Sequence, residues 1–296
     1  MSRMNADRGE IGLTFEEHGS PSLWNWQPGQ DVGEIMPNEI RVWIVDLDAG
    51  LNVDDVETAE PGPESSLLSP DEQERAARFV RARDRRRFVC CRAALRSILG
   101  GLLRQPPDSL RFRAAVRGKP ELDRDSSGEN HADKLPALCF NVSHSSELAL
   151  IGVCRGYELG VDLERVRTIH EADRIVESFF SRAEHAEFAT ISDDLKPLAF
   201  FRGWTRKEAI LKGLGIGLAG LSARYETGFG TSDLAPHFAP ATPVALVDDW
   251  RLWEACPRAD FVATVAVRAP IFPYTPPEGA GTEGTVVASS GEDPVH

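Results

Sequence analysis

The sequence predicts an α+β fold, and three observations carry that prediction. Short apolar runs, several with a period of two, recur at 40–47, 137–142, 148–154, 158–164, 250–254 and 261–267, and these read as strands. Longer stretches with apolar residues three and four apart follow Ser69-Pro70-Asp71-Glu72 and Ser181-Arg182-Ala183-Glu184, both capping-box starts of helices. Consecutive strand signals are parted only by short turns, at Ser143–Ser146, at Arg155-Gly156 and around Pro257, which is hairpin spacing.

Composition bounds the answer further. A chain of 296 residues can bury one or two sizeable cores. Its net charge of −13 argues against a nucleic-acid binder. Part of that acidity lies at the ends. Residues 1–37 are rich in Gly, Pro and acid, and 276–296 hold four acids without Lys or Arg; 1–37 and 271–296 are expected to be disordered tails. The five cysteines are odd in number and form no C-x-x-C, which fits a reduced, cytoplasmic chain. With no leader sequence and no apolar run of spanning length, a soluble protein without membrane contact is expected.

In order, the strand at 40–47 opens the folded part. Ser69 then caps a helix with Pro70 at its first position and Glu72 at its third. From Arg75 to Arg96 there are nine arginines and a single acid, Asp84, while Phe88, Cys91, Leu95, Ile98 and Leu102 mark a buried helical face. Those arginines are either a solvated basic face or a rim that attracts phosphate. Gly118-Lys119-Pro120 reads first as a turn. After the strands near 140, 150 and 160 come the helix from Ser181 and a helix over 195–212, stopped by Gly213 and Gly215. A short strand is expected at 222–225, then the hairpin at 250–267.

Two stretches carry chemistry. In Gly160-Val161-Asp162-Leu163-Glu164, strand spacing puts both carboxylates on one side of the sheet. In Trp204-Thr205-Arg206-Lys207-Glu208-Ala209-Ile210-Leu211-Lys212, helical spacing puts Glu208 and Lys212 on one face. Alone, an Asp-x-Glu pair is more often a solvated strand end, and Glu208 also fits a cap three residues after Thr205. Together, Asp162, Glu164 and Glu208 suit Mg²⁺, which prefers oxygen ligands, and no His or Cys stands at zinc-ligand spacing among them. Basic residues beside such a metal suit a polyphosphate substrate.

Phe140-Asn141-Val142-Ser143-His144-Ser145, the 160–164 block and the 204–212 block together resemble the three signature blocks of the 4′-phosphopantetheinyl transferases. Their order and gaps resemble the longer, surfactin-synthetase-activating type, as do Gly118-Lys119-Pro120 and the stretch from Ser69 to Arg96. The resemblance covers about residues 40–268. It implies two similar α/β subdomains, 38–157 and 158–270, forming a pseudo-dimer within one chain, with the active site in the cleft between them. It implies that Asp162, Glu164 and Glu208 hold Mg²⁺ against the pyrophosphate of coenzyme A, with Glu208 also the base and Lys212 at the leaving phosphate. Lys119, Ser143 and His144 would hold the nucleotide phosphates, and Arg75 matches a basic position near the 3′-phosphate. Glu72 departs from the pattern, standing where a second basic residue would contact the nucleotide.

The implied reaction transfers 4′-phosphopantetheine from coenzyme A to a serine of an apo acyl or peptidyl carrier protein, releasing adenosine 3′,5′-bisphosphate. One chain with two fused halves is expected to be a monomer. Two other classes are a catalytically silent carrier-binding module and an unrelated Mg²⁺ phosphohydrolase. The first has no need of all four of Asp162, Glu164, Glu208 and Lys212, and the second lacks a further water-activating base.

Overall fold

The computed structural model describes residues 21–37, 39–114, 120–123, 136–216, 224–230 and 245–268. The fold begins earlier than expected. Within the supposed tail, strand β1 (Ser22–Asn25) pairs in parallel with β2 (Ile40–Asp46), and Val32 and Ile35 are buried in the core. The guanidinium of Arg41 donates to the carbonyls of Val32 and Glu34 and so pins the intervening loop. A four-residue edge strand flanked by Gly and Pro has too little periodicity to be read from sequence.

Short 3₁₀ turns lead to α1 (Pro70–Ala77), which starts with the expected capping box between Ser69 and Glu72. Helix α2 (Ala82–Leu103) follows, and its arginines are neither a solvated face nor a phosphate rim. Arg86 and Arg87 pair with Asp48, Arg83 with Glu57, Arg85 with Glu60, and Arg92 and Arg96 with Glu72. They tie the 48–72 segment to the helix. Glu72, 5% exposed, thus balances two guanidinium groups inside the protein.

Strands β3 (Phe112–Ala114) and β4 (Pro120–Leu122) form a small antiparallel pair. Next come β5 (Leu138–Ser145), β6 (Leu148–Arg155), β7 (Glu158–Arg165), α3 (Ala172–Phe179), α4 (Arg182–Ala189), α5 (Lys196–Gly213), β8 (Ala245–Val247), β9 (Trp250–Ala255) and β10 (Phe261–Arg268). At the expected strand 222–225, Arg224 and Tyr225 form a turn instead, while 222 and 223 lie outside the described residues.

One sheet has the order β1-β2-β6-β5 and the other β7-β10-β9-β8. Without the outer strands β1 and β8, each half reads first–last–middle with antiparallel neighbours, and each inserts its long helix after its first strand. The two halves therefore repeat one connectivity that no sequence repeat announces.

The core follows the period-two pattern. Val42, Ile44, Leu148 and Leu150 of the first sheet pack with Val161, Leu163, Ala263 and Val265 of the second. The opposite faces take α2 (Leu95, Ile98, Leu99 against Trp43, Val45, Ile151) and α5 (Ile210, Leu211 against Trp250, Leu252). Truncating any such fully buried aliphatic side chain would cost about 2–5 kcal/mol. One contact is tighter than the rest. A Cβ on Gly160 would lie 1.8 Å from the carbonyl oxygen of Ala209, so only glycine lets α5 rest directly on β7.

Candidate active site

That close approach decides where the chemistry-bearing residues meet. Gly160, Asp162 and Glu164 share the face of β7 opposite Val161 and Leu163, the side on which α5 lies. Glu208 and Lys212, one helical turn apart on α5, come down beside them. Lys212 does not pair with its helical neighbour. Its ammonium donates to Asp162 Oδ1 at 2.6 Å and to Ser143 Oγ at 2.8 Å. Thr205 is interior to α5, bonded to the Arg202 carbonyl and to Thr264, so Glu208 is not a cap.

The three carboxylates repel one another in poorly hydrated surroundings. Burial, Asp162 and Glu164 push the Glu208 carboxyl up to about 7, against the pull of Lys212. Glu164 is raised by burial and then by Asp162. Asp162, 2% exposed, is raised by burial although Lys212 and Ser143 oppose it. Its Oδ2 is buried and has no hydrogen-bond partner. A carboxylate set short of positive charge, with an unsatisfied buried oxygen, fits a divalent cation with oxygen preference. Among the described residues no three His, Cys, Asp or Glu side chains lie close enough to hold a metal ion as they stand, so a cation would have to draw these carboxylates together.

Ser143 and Ser145 lie on β5 with His144 between them. The Ser143 hydroxyl accepts from the Leu163 amide at 3.2 Å and from Lys212, and donates to Asp162 Oδ1 at 2.8 Å. With 4% exposure and every hydrogen-bonding capacity used, it is not free to hold a nucleotide phosphate as the sequence suggested. His144 projects to solvent on the other face. Desolvation by the surrounding protein and the charges of Lys212 and Arg75 lower its proton affinity, while Asp162 raises it. Arg75 is therefore within charge range of His144. It stacks over Phe88 and, with Asp71, Glu74, Arg78 and Phe79, lines an open cavity of about 630 Å³, a size common for small-molecule sites. Lys119 lies outside the described residues.

Sequence reasoning missed the supports of this arrangement. Arg202 and Arg206 of α5 both bind the buried Glu254 of β9, and Arg206 also donates to the Thr227 carbonyl. Lys207, 2% exposed, pairs with Glu184 of α4 and donates to the Tyr225 carbonyl. Glu184 in turn accepts from the amides of Thr227 and Gly228. The basic residues preceding Glu208 thus fasten α5 to its neighbours. Their only sequence signal was charge on the buried side of a helix.

Comparison with known proteins is consistent across both halves. A family described as the 4′-phosphopantetheinyl transferase superfamily matches residues 158–266, and one described as 4′-phosphopantetheinyl transferase, N-terminal, matches 63–155. The 4′-phosphopantetheinyl transferase HetI of Nostoc sp. is 34% identical over 250 residues, spanning 82% of this chain and 93% of that protein. The transferase gsp of Aneurinibacillus migulanus is 29% identical over 154 residues, 52% of this chain and 59% of its own. The Homo sapiens L-aminoadipate-semialdehyde dehydrogenase-phosphopantetheinyl transferase is 29% identical over 157 residues, 51% of this chain and 49% of its own.

Proposed function

The chain belongs to the 4′-phosphopantetheinyl transferase superfamily, and we propose that the acidic cluster of β7 and α5 is where it performs its transfer. It is a transferase that attaches 4′-phosphopantetheine to carrier proteins. In the reading proposed here the donor is coenzyme A, the acceptor is a serine hydroxyl, and the site lies in a cleft between two halves related as a pseudo-dimer. One chain would suffice for it, because both halves are present. The repeated connectivity supports the pseudo-dimer, and the adjacency of β5, β7 and α5 supports the cleft.

Asp162, Glu164 and Glu208 would hold Mg²⁺, which supplies charge neutralisation at the pyrophosphate. Glu208 would also accept the proton of the attacking serine; without a cation, burial and its acidic neighbours push its carboxyl up to about 7, and beside a bound cation it would stay ionised and able to accept. The serine oxygen bonds to the phosphorus that bears the pantetheine arm, and the bond from that phosphorus to the departing adenosine 3′,5′-bisphosphate breaks. Lys212, held against Asp162, would stand beside the oxygen that gains charge. Arg75 and Arg78 would face the nucleotide phosphates from the side of the cavity, with His144 within charge range of Arg75; Lys119 joins them by its place in the sequence.

The observation that carries the metal assignment is the buried, unpartnered Oδ2 of Asp162 inside a like-charged cluster. Incubation with coenzyme A, Mg²⁺ and a panel of apo carrier domains, read by intact mass, tests the whole reading. One phosphopantetheine added per carrier, lost on chelation and in Asp162→Ala, is expected. A folded Asp162→Ala protein that transfers normally at low Mg²⁺ would remove the assignment.

A further inference from the structure

We propose that Ser143 and Ser145 are positioning residues that each lock one oxygen of a carboxylate and leave the other as a single-oxygen ligand for a divalent cation. This rests on the reading above that Asp162 and Glu164 bind the cation. The geometry begins with a missing ladder. Strand β5 pairs through its backbone with β6, and β7 with β10, yet β5 and β7 lie side by side with no backbone pairing between them. Side chains join them instead. The amides of Val161, Leu163 and Arg165 donate to Asn141 Oδ1, Ser143 Oγ and Ser145 Oγ, at 2.9, 3.2 and 3.1 Å. The constant offset of twenty residues makes the strands parallel and fixes their register.

The residue type along this seam follows the acids. Asn141 meets the chain beside Gly160 and Val161, where there is no carboxylate. Ser143 donates to Asp162 Oδ1 and Ser145 to Glu164 Oε2, both at 2.8 Å. A hydroxyl has one hydrogen and two acceptor positions. Ser143 fills both acceptor positions, with the Leu163 amide and the Lys212 ammonium, so its hydrogen can go only to the carboxylate. Ser145 accepts from Arg165 and uses its hydrogen in the same way. Each serine thereby ties a carboxylate to the backbone of its own strand and fixes its rotation. Oδ2 of Asp162 and Oε1 of Glu164 are the oxygens left over, the first of them buried without a partner. Groups that orient metal ligands in this manner are typically worth about 10–100-fold in affinity.

Ser145→Val and Ser145→Thr separate the hydroxyl from the shape, since the two side chains are nearly isosteric and suit a strand. Mn²⁺ is titrated by electron paramagnetic resonance into folded protein with coenzyme A and no carrier, so that no turnover enters the measurement. Ser145→Val should weaken Mn²⁺ by about 10-fold or more, and Ser145→Thr should restore near wild-type affinity. Asn141→Ala should lower the melting temperature and leave the Mn²⁺ constant alone. Should Ser145→Val fail to fold, Ser145→Ala reads the same constant. Wild-type affinity in the folded hydroxyl-less variant overturns the proposal while leaving the transferase reading intact. A wild-type protein whose Mn²⁺ binding ignores Asp162→Ala would sink both.

Discussion

Gly160→Ala tests how the site is assembled without touching any charged group. The new Cβ would sit 1.8 Å from the Ala209 carbonyl oxygen and 2.5 Å from the Gly213 amide nitrogen, both backbone atoms of α5. Real Cβ contacts stay beyond 3.0 Å, so the helix must retreat by more than about 1 Å, and no side-chain rotation relieves it. Overpacking of this kind costs about 3 kcal/mol, which corresponds to a fall in Tm of about 6–12 °C for a protein of this size. The retreat also carries Lys212 away from Asp162, now 2.6 Å apart, and Glu208 away from the β7 carboxylates. A displacement of about 1 Å in a reacting constellation can cost 10²-fold in rate. Initial rates of carrier modification and thermal melts of the same preparation are the measurements. An Ala variant with unchanged Tm and full turnover would refute the claim that glycine sets the spacing between β7 and α5.

Glu208→Gln should reduce turnover by at least about 10²-fold. The same change should stabilise the metal-free protein at pH 8: a carboxyl whose folded pKa is raised to about 7 loses stability as pH climbs from its ordinary value through 7, and Gln has no charge to lose. With allowance for solvent screening the gain is on the order of 1–2 kcal/mol, read by denaturant titration without Mg²⁺. Lys212→Ala should also slow transfer, but because the ammonium beside Asp162 repels a second cation, its loss should lower the half-activating Mg²⁺ concentration; an unchanged value would contradict the Lys212–Asp162 contact. Glu254 behaves in the opposite sense to Glu208. Burial raises its pKa, but the hydrogen bonds and charges of Arg206 and Arg202 outweigh burial, so the net direction is down. Its contribution is present above the ordinary carboxylate pKa and is lost as pH falls through the depressed folded value. Urea unfolding from pH 7 to 3 should show this loss, beginning below about pH 5, and Glu254→Gln should flatten it.

Features that depend on near neighbours in the chain were legible. The period of two along 158–164 put Asp162 and Glu164 on one face, and both capping boxes and the bounds of α5 followed from residues within four positions of one another. The blocks at 140–145, 160–164 and 204–212 also sufficed to suggest the family. What the sequence could not determine were choices between partners far apart along it. Lys212 stands four residues from Glu208 yet bonds Asp162, fifty residues away, because the Gly160 contact lowers α5 onto β7. The arginines of α2 looked available to phosphate until acids from 48–72 folded over them. Ser143 looked like a ligand contact and lies instead in the seam between two strands that share no backbone bonds. Local period fixes which way a side chain points. Only the packing of one element on another decides what it meets there, since a charge or hydroxyl leaving water takes whichever partner the fold brings within about 3 Å.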